Sequence, residues 1–202
     1  MPRDKTFSHI KIMEAARAEF LEKGFEKASM RSIARRCDMT AAGIYRHCTD
    51  KEDLFYQIVT PAKEKLDNWA KEHMERYEEP IKKGKQLSWK DSNFDMMREL
   101  VYPNMEDYHL LVAKSKGTMY ENYLHDLTEI SQEKLLAYLK EIKKAGYKVP
   151  KLMPSELHLL MSAYTTALFE PVVHNYSYKD AIRALDTLEK FFLPGWKQLI
   201  GL

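Results

Sequence analysis

Between Ser29 and Lys51 lie five cations, Arg31, Arg35, Arg36, Arg46 and Lys51, with Tyr45 and His47 beside them and a run of small residues, Ala41, Ala42 and Gly43, in their midst. Guanidinium, ammonium, phenol and imidazole groups can all donate hydrogen bonds to phosphate oxygens. Alanine and glycine offer no reach of their own; their use is to let a backbone come close to another surface. The major groove of B-DNA admits a helix only where the face meeting the base edges is uncrowded. The pattern therefore predicts recognition of DNA, with Arg31, Ala41, Ala42 and Gly43 at base edges and Thr40, Tyr45, His47 and Lys51 on phosphates.

Two short helices must position these groups. Ser29 can cap a first one whose apolar residues Met30, Ile33, Ala34 and Cys37 recur at helical spacing, and Thr40 can cap a second through Ala41, Ala42, Gly43, Ile44 and Tyr45. Only Asp38-Met39 separates them, so the helices must cross steeply, as in a helix-turn-helix. A scaffold helix precedes the motif from about Ser8, with Ile10, Met13, Ala16, Ala18, Phe20 and Leu21 as its apolar stripe and Lys23-Gly24 as its stop. Asp50, with Asp53 three residues on, opens a longer helix carrying Leu54, Phe55, Ile58 and Val59.

Residues 8 to 60 resemble the N-terminal domain of TetR-family transcriptional repressors. The family's aromatic and glycine ahead of the motif, its small residues and tyrosine in the recognition helix, and its histidine-containing turn followed by lysine are met here by Gly24-Phe25, Ala42-Gly43-Ile44-Tyr45, His47 and Asp50-Lys51-Glu52. The close match covers about a quarter of the chain. Where the family usually has glycine in the inter-helix turn this chain has Asp38, and where it usually has phenylalanine this chain has Cys48. Aspartate tolerates a left-handed backbone better than most residues, and cysteine is a small buried hydrophobe.

Composition agrees with an ordinary globular chain. Of 202 residues, 31% are charged, and no apolar run approaches the roughly 18 residues that span a bilayer. The opening MPRDKTFSHIK has no apolar core, so no secretory or transit signal is expected and the expected location is the cytoplasm. Two cysteines, Cys37 and Cys48, fit a reducing compartment and packing roles. Through Lys51 the chain holds eleven Lys/Arg against seven acids, a charge of +4, while the whole chain carries +2. A basic end on a slightly acidic body presents one end to phosphates. A short arm, Met1 to Thr6, adds Arg3 and Lys5.

The rest reads as helices. Pro61 either kinks the helix begun at Asp50 or opens a new one capped by Thr60. Leu66, Trp69, Ala70, Met74 and Tyr77 continue one face to a break at Glu79-Pro80, and IKKGKQLSWK is a loop. Helices are then expected from Ser92 to Pro103, from Asn104 to Gly117, from Thr118 to Lys144 with Gly146 as stop, from Ser155 to about His174, and from about Tyr178 to Gln198, bent near Pro194-Gly195. The predicted fold is all-α, with about nine helices, as the resemblance also implies: a helix-turn-helix domain over 1–53, and a helical ligand-binding and dimerisation domain over 54–202.

Two sites are predicted in that body. Met96, Met97, Tyr102, Met105, Tyr108, Met119, Tyr120, Tyr123, Met161, Tyr164 and Phe169 supply more adaptable and aromatic surface than plain packing needs, so they are expected to hold a small apolar or aromatic effector. Glu170, before Pro171, either faces inward to hold a cation or lies at the surface. The helix from Ser155 has apolar or small residues on both sides, and Leu159, Ala163 and Thr166 are expected to meet a second copy together with Leu185, Leu188, Phe192 and Trp196, giving the family's two-fold four-helix bundle. Such a homodimer implies a palindromic operator in double-stranded DNA.

Catalysis finds little support. The seven histidines are scattered. Glu121 and His125 share a helical face, but two ligands make no metal site. There is no glycine-rich phosphate loop, nucleophile elbow or Cys-x-x-Cys pair, and no cofactor is implied. The sequence predicts a ligand-responsive repressor; the alternative is a helix-turn-helix protein that binds DNA with little sequence preference and organises it without an effector.

Overall fold

The computed structural model describes residues 5–82, 93–144, 146 and 151–200. The start of the basic arm, most of the loop over 81–90 and residues 148–150 of the expected turn lie outside them. The described residues form eight α-helices and no strand: α1 (Lys5–Lys27), α2 (Met30–Arg36), α3 (Ala41–Ile44), α4 (Lys51–Lys82), α5 (Met105–Ala113), α6 (Tyr123–Lys144), α7 (Pro154–Val173) and α8 (Tyr178–Ile200). Two compact units divide them, one formed by Met1–Leu66 with Asn104–Glu121, the other by Asp67–Pro103 with Asn122–Leu202. The sequence predicts a boundary at residue 53; in the structure the next turns of α4 and all of α5 pack with the helix-turn-helix.

The first unit is built on aromatic packing. Phe20, Phe25 and Phe55 bring α1, its terminal turn and α4 together with ring centroids 5.2 to 6.0 Å apart, each full burial stabilising by about 2 kcal/mol. Ile12, Ala16, Ile33, Ile44, Leu54, Ile58, Val59, Leu110 and Leu111 surround them. Gly24 (φ 72, ψ 164) interrupts α1 where the stop was expected. In the second unit Leu135, Leu139, Leu157, Met161 and Trp196 join α6, α7 and α8.

Several expected boundaries shift, each for a local reason. The α4 helix runs unbroken through Pro61. That proline is exposed and Gln57, whose carbonyl loses its donor, is partly so, which lets water replace the missing bond. The same helix reaches Lys82, past the expected break at Glu79-Pro80. The expected helix ahead of Pro103 is a π-helix over Met96–Val101 followed by a 3-10 turn, Tyr102–Asn104. Thr118 does not open a helix: its hydroxyl donates to Ser115 O at 2.7 Å, Ser115 Oγ donates to Tyr120 O at 2.9 Å, and Glu121 accepts from Gly117 N at 3.0 Å. Side chains there satisfy the backbone in place of a helical ladder, so α6 starts only at Tyr123. Met153, not Ser155, caps α7, with Glu156 accepting from Met153 N at 2.7 Å. Pro194 sits within α8, which continues past it.

Candidate nucleic-acid interface

Both caps of the motif form. Ser29 Oγ accepts from Ser32 N at 3.2 Å and Thr40 Oγ1 accepts from Gly43 N at 3.1 Å, each retaining one orphan amide of a helix start. Between the helices Asp38 takes φ 54, the left-handed turn position, and Met39 N closes the turn on Ala34 O at 2.9 Å. Ile33 and Ile44 are fully buried and fix both helices to the unit. Arg31, Thr40, Ala42, Tyr45 and Arg46 are exposed, with Ala41, Gly43 and His47 half-buried. Arg31, Ala34, Arg35, Asp38, Met39, Thr40 and Ala41 line an open concavity of about 560 Å³. A Cβ added to Gly43 would meet Met39 Cε at 3.3 Å and Thr40 Oγ1 at 3.4 Å, so the glycine keeps α3 slim and also seats it on its own turn. Thr40 spends only a lone pair on its cap and keeps its hydroxyl proton to donate.

Two cations of the motif point elsewhere. Arg36 turns back to α1, where Nε donates to Glu19 Oε2 at 2.8 Å and another guanidinium nitrogen pairs with Glu22. Glu19 is fully buried. It also accepts from Ser32 Oγ at 2.9 Å and from Lys23 Nζ at 2.7 Å. Burial alone would raise its carboxyl, but the hydrogen bonds from Lys23, Arg36 and Ser32 win and hold it at about 2. Lys51 Nζ donates to Phe25 O at 2.7 Å and Ala28 O at 3.2 Å, lies 3.4 Å from Glu26 O and rests 4.2 Å from the Phe25 ring centroid. Burial pulls its ammonium below the ordinary lysine range, with Glu26 opposing.

Sequence reasoning missed three participants. Glu19 lies on the buried face of α1 with Ile12 and Ala16, a charged residue in a core phase, and that mismatch is the signal that marks it. His9 stacks on His47 with centroids 6.1 Å apart. Lys114 O accepts from Phe25 N at 2.9 Å, tying α5 to the turn ahead of the motif. The cysteines are poor nucleophiles: burial, with Asp53 and Asp50 nearby, pushes Cys48 up to about 11, and burial raises Cys37.

A family model described as bacterial regulatory proteins, tetR family, matches residues 12–58. Residues 12–58 are a TetR-family DNA-binding domain. The TetR-family domain thus contains the two caps, the Asp38 turn, the Glu19 network and Lys51. The HTH-type transcriptional regulator UidR of Escherichia coli (strain K12) is 34% identical over 71 residues, 35% of this chain and 33% of that protein. The match spans about a third of the length of that relative. Among solved structures, the TetR family transcriptional regulator PfmR from Thermus thermophilus superposes with TM-score 0.55 at 19% identity over 88% of this chain and 96% of its own. The fatty acid degradation regulator FadR from Bacillus halodurans gives 0.55 at 16% over 96% and 98%. These likenesses extend the shared all-α fold beyond the TetR-family domain. No helix among the described residues is long and apolar enough to cross a membrane.

The residues expected at the effector site fall in both units. In the first, Tyr108 is fully buried and its hydroxyl donates to Ala62 O at 2.8 Å, a core bond. Met105 is half-buried, Tyr120 is buried against Tyr56, and Met119 is 68% exposed. In the second, Met96, Met97, Tyr123, Met161 and Phe169 are buried, while the Tyr102 hydroxyl donates to Tyr176 O at 3.0 Å. Glu170 is 47% exposed and pairs with His174 at 2.9 Å, which places it at the surface. Tyr164 accepts from Asn93 and, with Glu189, Phe192, Leu193 and Trp196, lines a cleft of about 10 Å³, room for one water.

The expected dimer residues divide by helix register. Leu159, Ala163 and Thr166 form an exposed stripe on α7. On α8, Leu185 and Trp196 are 1% and 7% exposed, and Phe192 packs against the core that holds Trp196. These three turn inward, because the buried stripe of α8 follows Ala181, Leu185 and Trp196. Its outer face instead carries Phe191, 77% exposed, beside half-buried Leu188.

Proposed function

We propose that this chain is a transcriptional repressor that binds a palindromic operator as a homodimer and is released by a small apolar or aromatic molecule. The observation that carries the reading is the slim, capped helix α3, its Ala41-Ala42-Gly43 face uncrowded between exposed Arg31, Arg35, Tyr45 and Arg46. Arg31, Ala41, Ala42 and Gly43 meet base edges; Thr40, Tyr45 and His47 meet phosphates, with Arg35 and Arg46 beside them. Lys51, its donors already on carbonyls, is not in that set. The exposed Leu159, Ala163 and Thr166 stripe with Leu188 and Phe191 supports pairing through α7 and α8.

An effector weakens DNA binding only if it binds better to a state in which the two readers are spaced wrongly for the operator. Met97, Tyr123, Met161 and Phe169 supply the apolar wall of its site. The cleft beside Tyr164 takes one water, so a molecule needing roughly 300 Å³ or more must open this core. Recovery of bound genomic fragments by pull-down tests the whole reading: a shared inverted repeat supports it. Fragments with no common sequence would favour the DNA-organising role.

A further inference from the structure

The helix-turn-helix motif runs from Ser29 to Lys51, and its closing residue touches the turn just ahead of its start. Ala28 O and Lys51 Nζ are 3.2 Å apart across 23 positions of sequence. The same ammonium reaches Phe25 O at 2.7 Å and Glu26 O at 3.4 Å. An ammonium has three N–H donors, and here three carbonyls face them. Those carbonyls close the terminal turn of α1 beyond Gly24, where helical partners run out. The Phe25 ring, 4.2 Å from Nζ, covers the remaining side.

Resting on the DNA-binding reading above, we propose that Lys51 is a positioning residue that closes the helix-turn-helix into a ring by joining its two ends, and that it contacts no phosphate. A phosphate contact would require the ammonium to leave the α1 carbonyls and the ring, taking from Ala28 O and Glu26 O the donor they share and leaving Phe25 O only the longer bond from Ala28 N at 3.3 Å. Held in place, Lys51 sets where α4 begins relative to α2, and so the tilt of α3 between them. Its effect on DNA affinity is then geometric and independent of salt.

The two roles separate by salt dependence, since each neutralised phosphate contributes about 0.9 to the slope of log affinity against log salt. The full chain is titrated with a ~30-base-pair duplex of mixed sequence from ~50 to ~200 mM salt, as wild type, Lys51→Met and Lys51→Arg. Ring closure predicts that Lys51→Met binds on the order of tenfold more weakly at every salt concentration, on a line parallel to wild type. Lys51→Arg should fail to restore affinity, because a planar fork cannot converge on three carbonyls as a point charge does. A slope lower by about one in Lys51→Met, with Lys51→Arg equal to wild type or tighter, overturns the proposal. Should Lys51→Met not fold, Lys51→Arg decides alone: weaker binding with an unchanged slope upholds the ring, and binding at wild-type strength sinks it. Failure of the wild-type chain to bind any duplex at the lowest salt overturns the DNA-binding reading itself, and is recognised without a variant.

Discussion

The backbone N–H of Phe25 donates to the carbonyl of Lys114 at 2.9 Å, so the first residue after the break in α1 is held by the residue that caps the end of α5. Arg17 pairs with Asp107, and the Tyr108 hydroxyl donates to Ala62 O at 2.8 Å. Residues from the middle of the chain thus complete the unit that carries the reader. A fragment ending at Leu66 lacks these partners and exposes the apolar surface that Tyr108, Leu110 and Leu111 cover. It is expected to be poorly folded, with low amide dispersion in a proton NMR spectrum; a well-dispersed, cooperatively melting fragment would contradict this.

The Glu19 carboxyl stands at about 2 in the folded chain against an ordinary value of 4.5. Its stabilising contribution is therefore whole above about pH 4.5 and drains as the pH falls toward 2, amounting to about 3 kcal/mol. Urea unfolding of Glu19→Gln should show a loss of that order at pH 7 that shrinks near pH 2. Equal losses at both pH values would show that the charge is not what stabilises.

Thr40→Ala removes the cap of α3 and should cost about 1 kcal/mol, while Thr40→Ser keeps it. Gly43→Ala should fold, since Met39 can yield a few tenths of an ångström. Gly43→Leu should also fold yet lose about 2 kcal/mol or more of operator affinity by crowding the groove. Gel shifts with the recovered operator read the difference, and undiminished binding by Gly43→Leu would remove α3 from the groove.

Leu159→Glu combined with Phe191→Glu should give a folded monomer in sedimentation, because both side chains are exposed in the single chain, with an unfolding midpoint that no longer rises with protein concentration. If the double variant sediments as the wild type does, pairing lies elsewhere.

Cys48 is buried with its thiol raised to about 11, leaving almost no thiolate at pH 8. Reaction with an aromatic disulfide reagent should be slow in the native chain and fast in denaturant. Rapid native labelling at Cys48 would contradict its packing role.

What could be read from the sequence was what local chemistry decides. Ser29, Thr40 and Gly24 announce helix ends through their own side chains or lack of one, and Asp38 tolerates the turn it occupies. The charge of Lys51 is legible in the sequence, whereas its bonds to the carbonyls of Phe25 and Ala28 depend on a fold that brings distant positions together. Leu185 and Trp196 share the spacing of an apolar stripe, and spacing alone does not say whether the chain's own core or a second copy covers it. The Ser115–Glu121 turns imitate a helix start, and only the set of side-chain bonds they make distinguishes them.

The carboxylate of Glu19 binds Ser32, Arg36 and Lys23 at once, away from water. In evolutionary terms, positions 19, 32 and 36 form one linked character. A change at one strands a buried charge or a donor at the others, so drift at these sites must proceed in pairs or through a detour of lowered stability. The exposed residues of α3 carry no such bond, and reader specificity can diverge while this joint beneath it stays fixed.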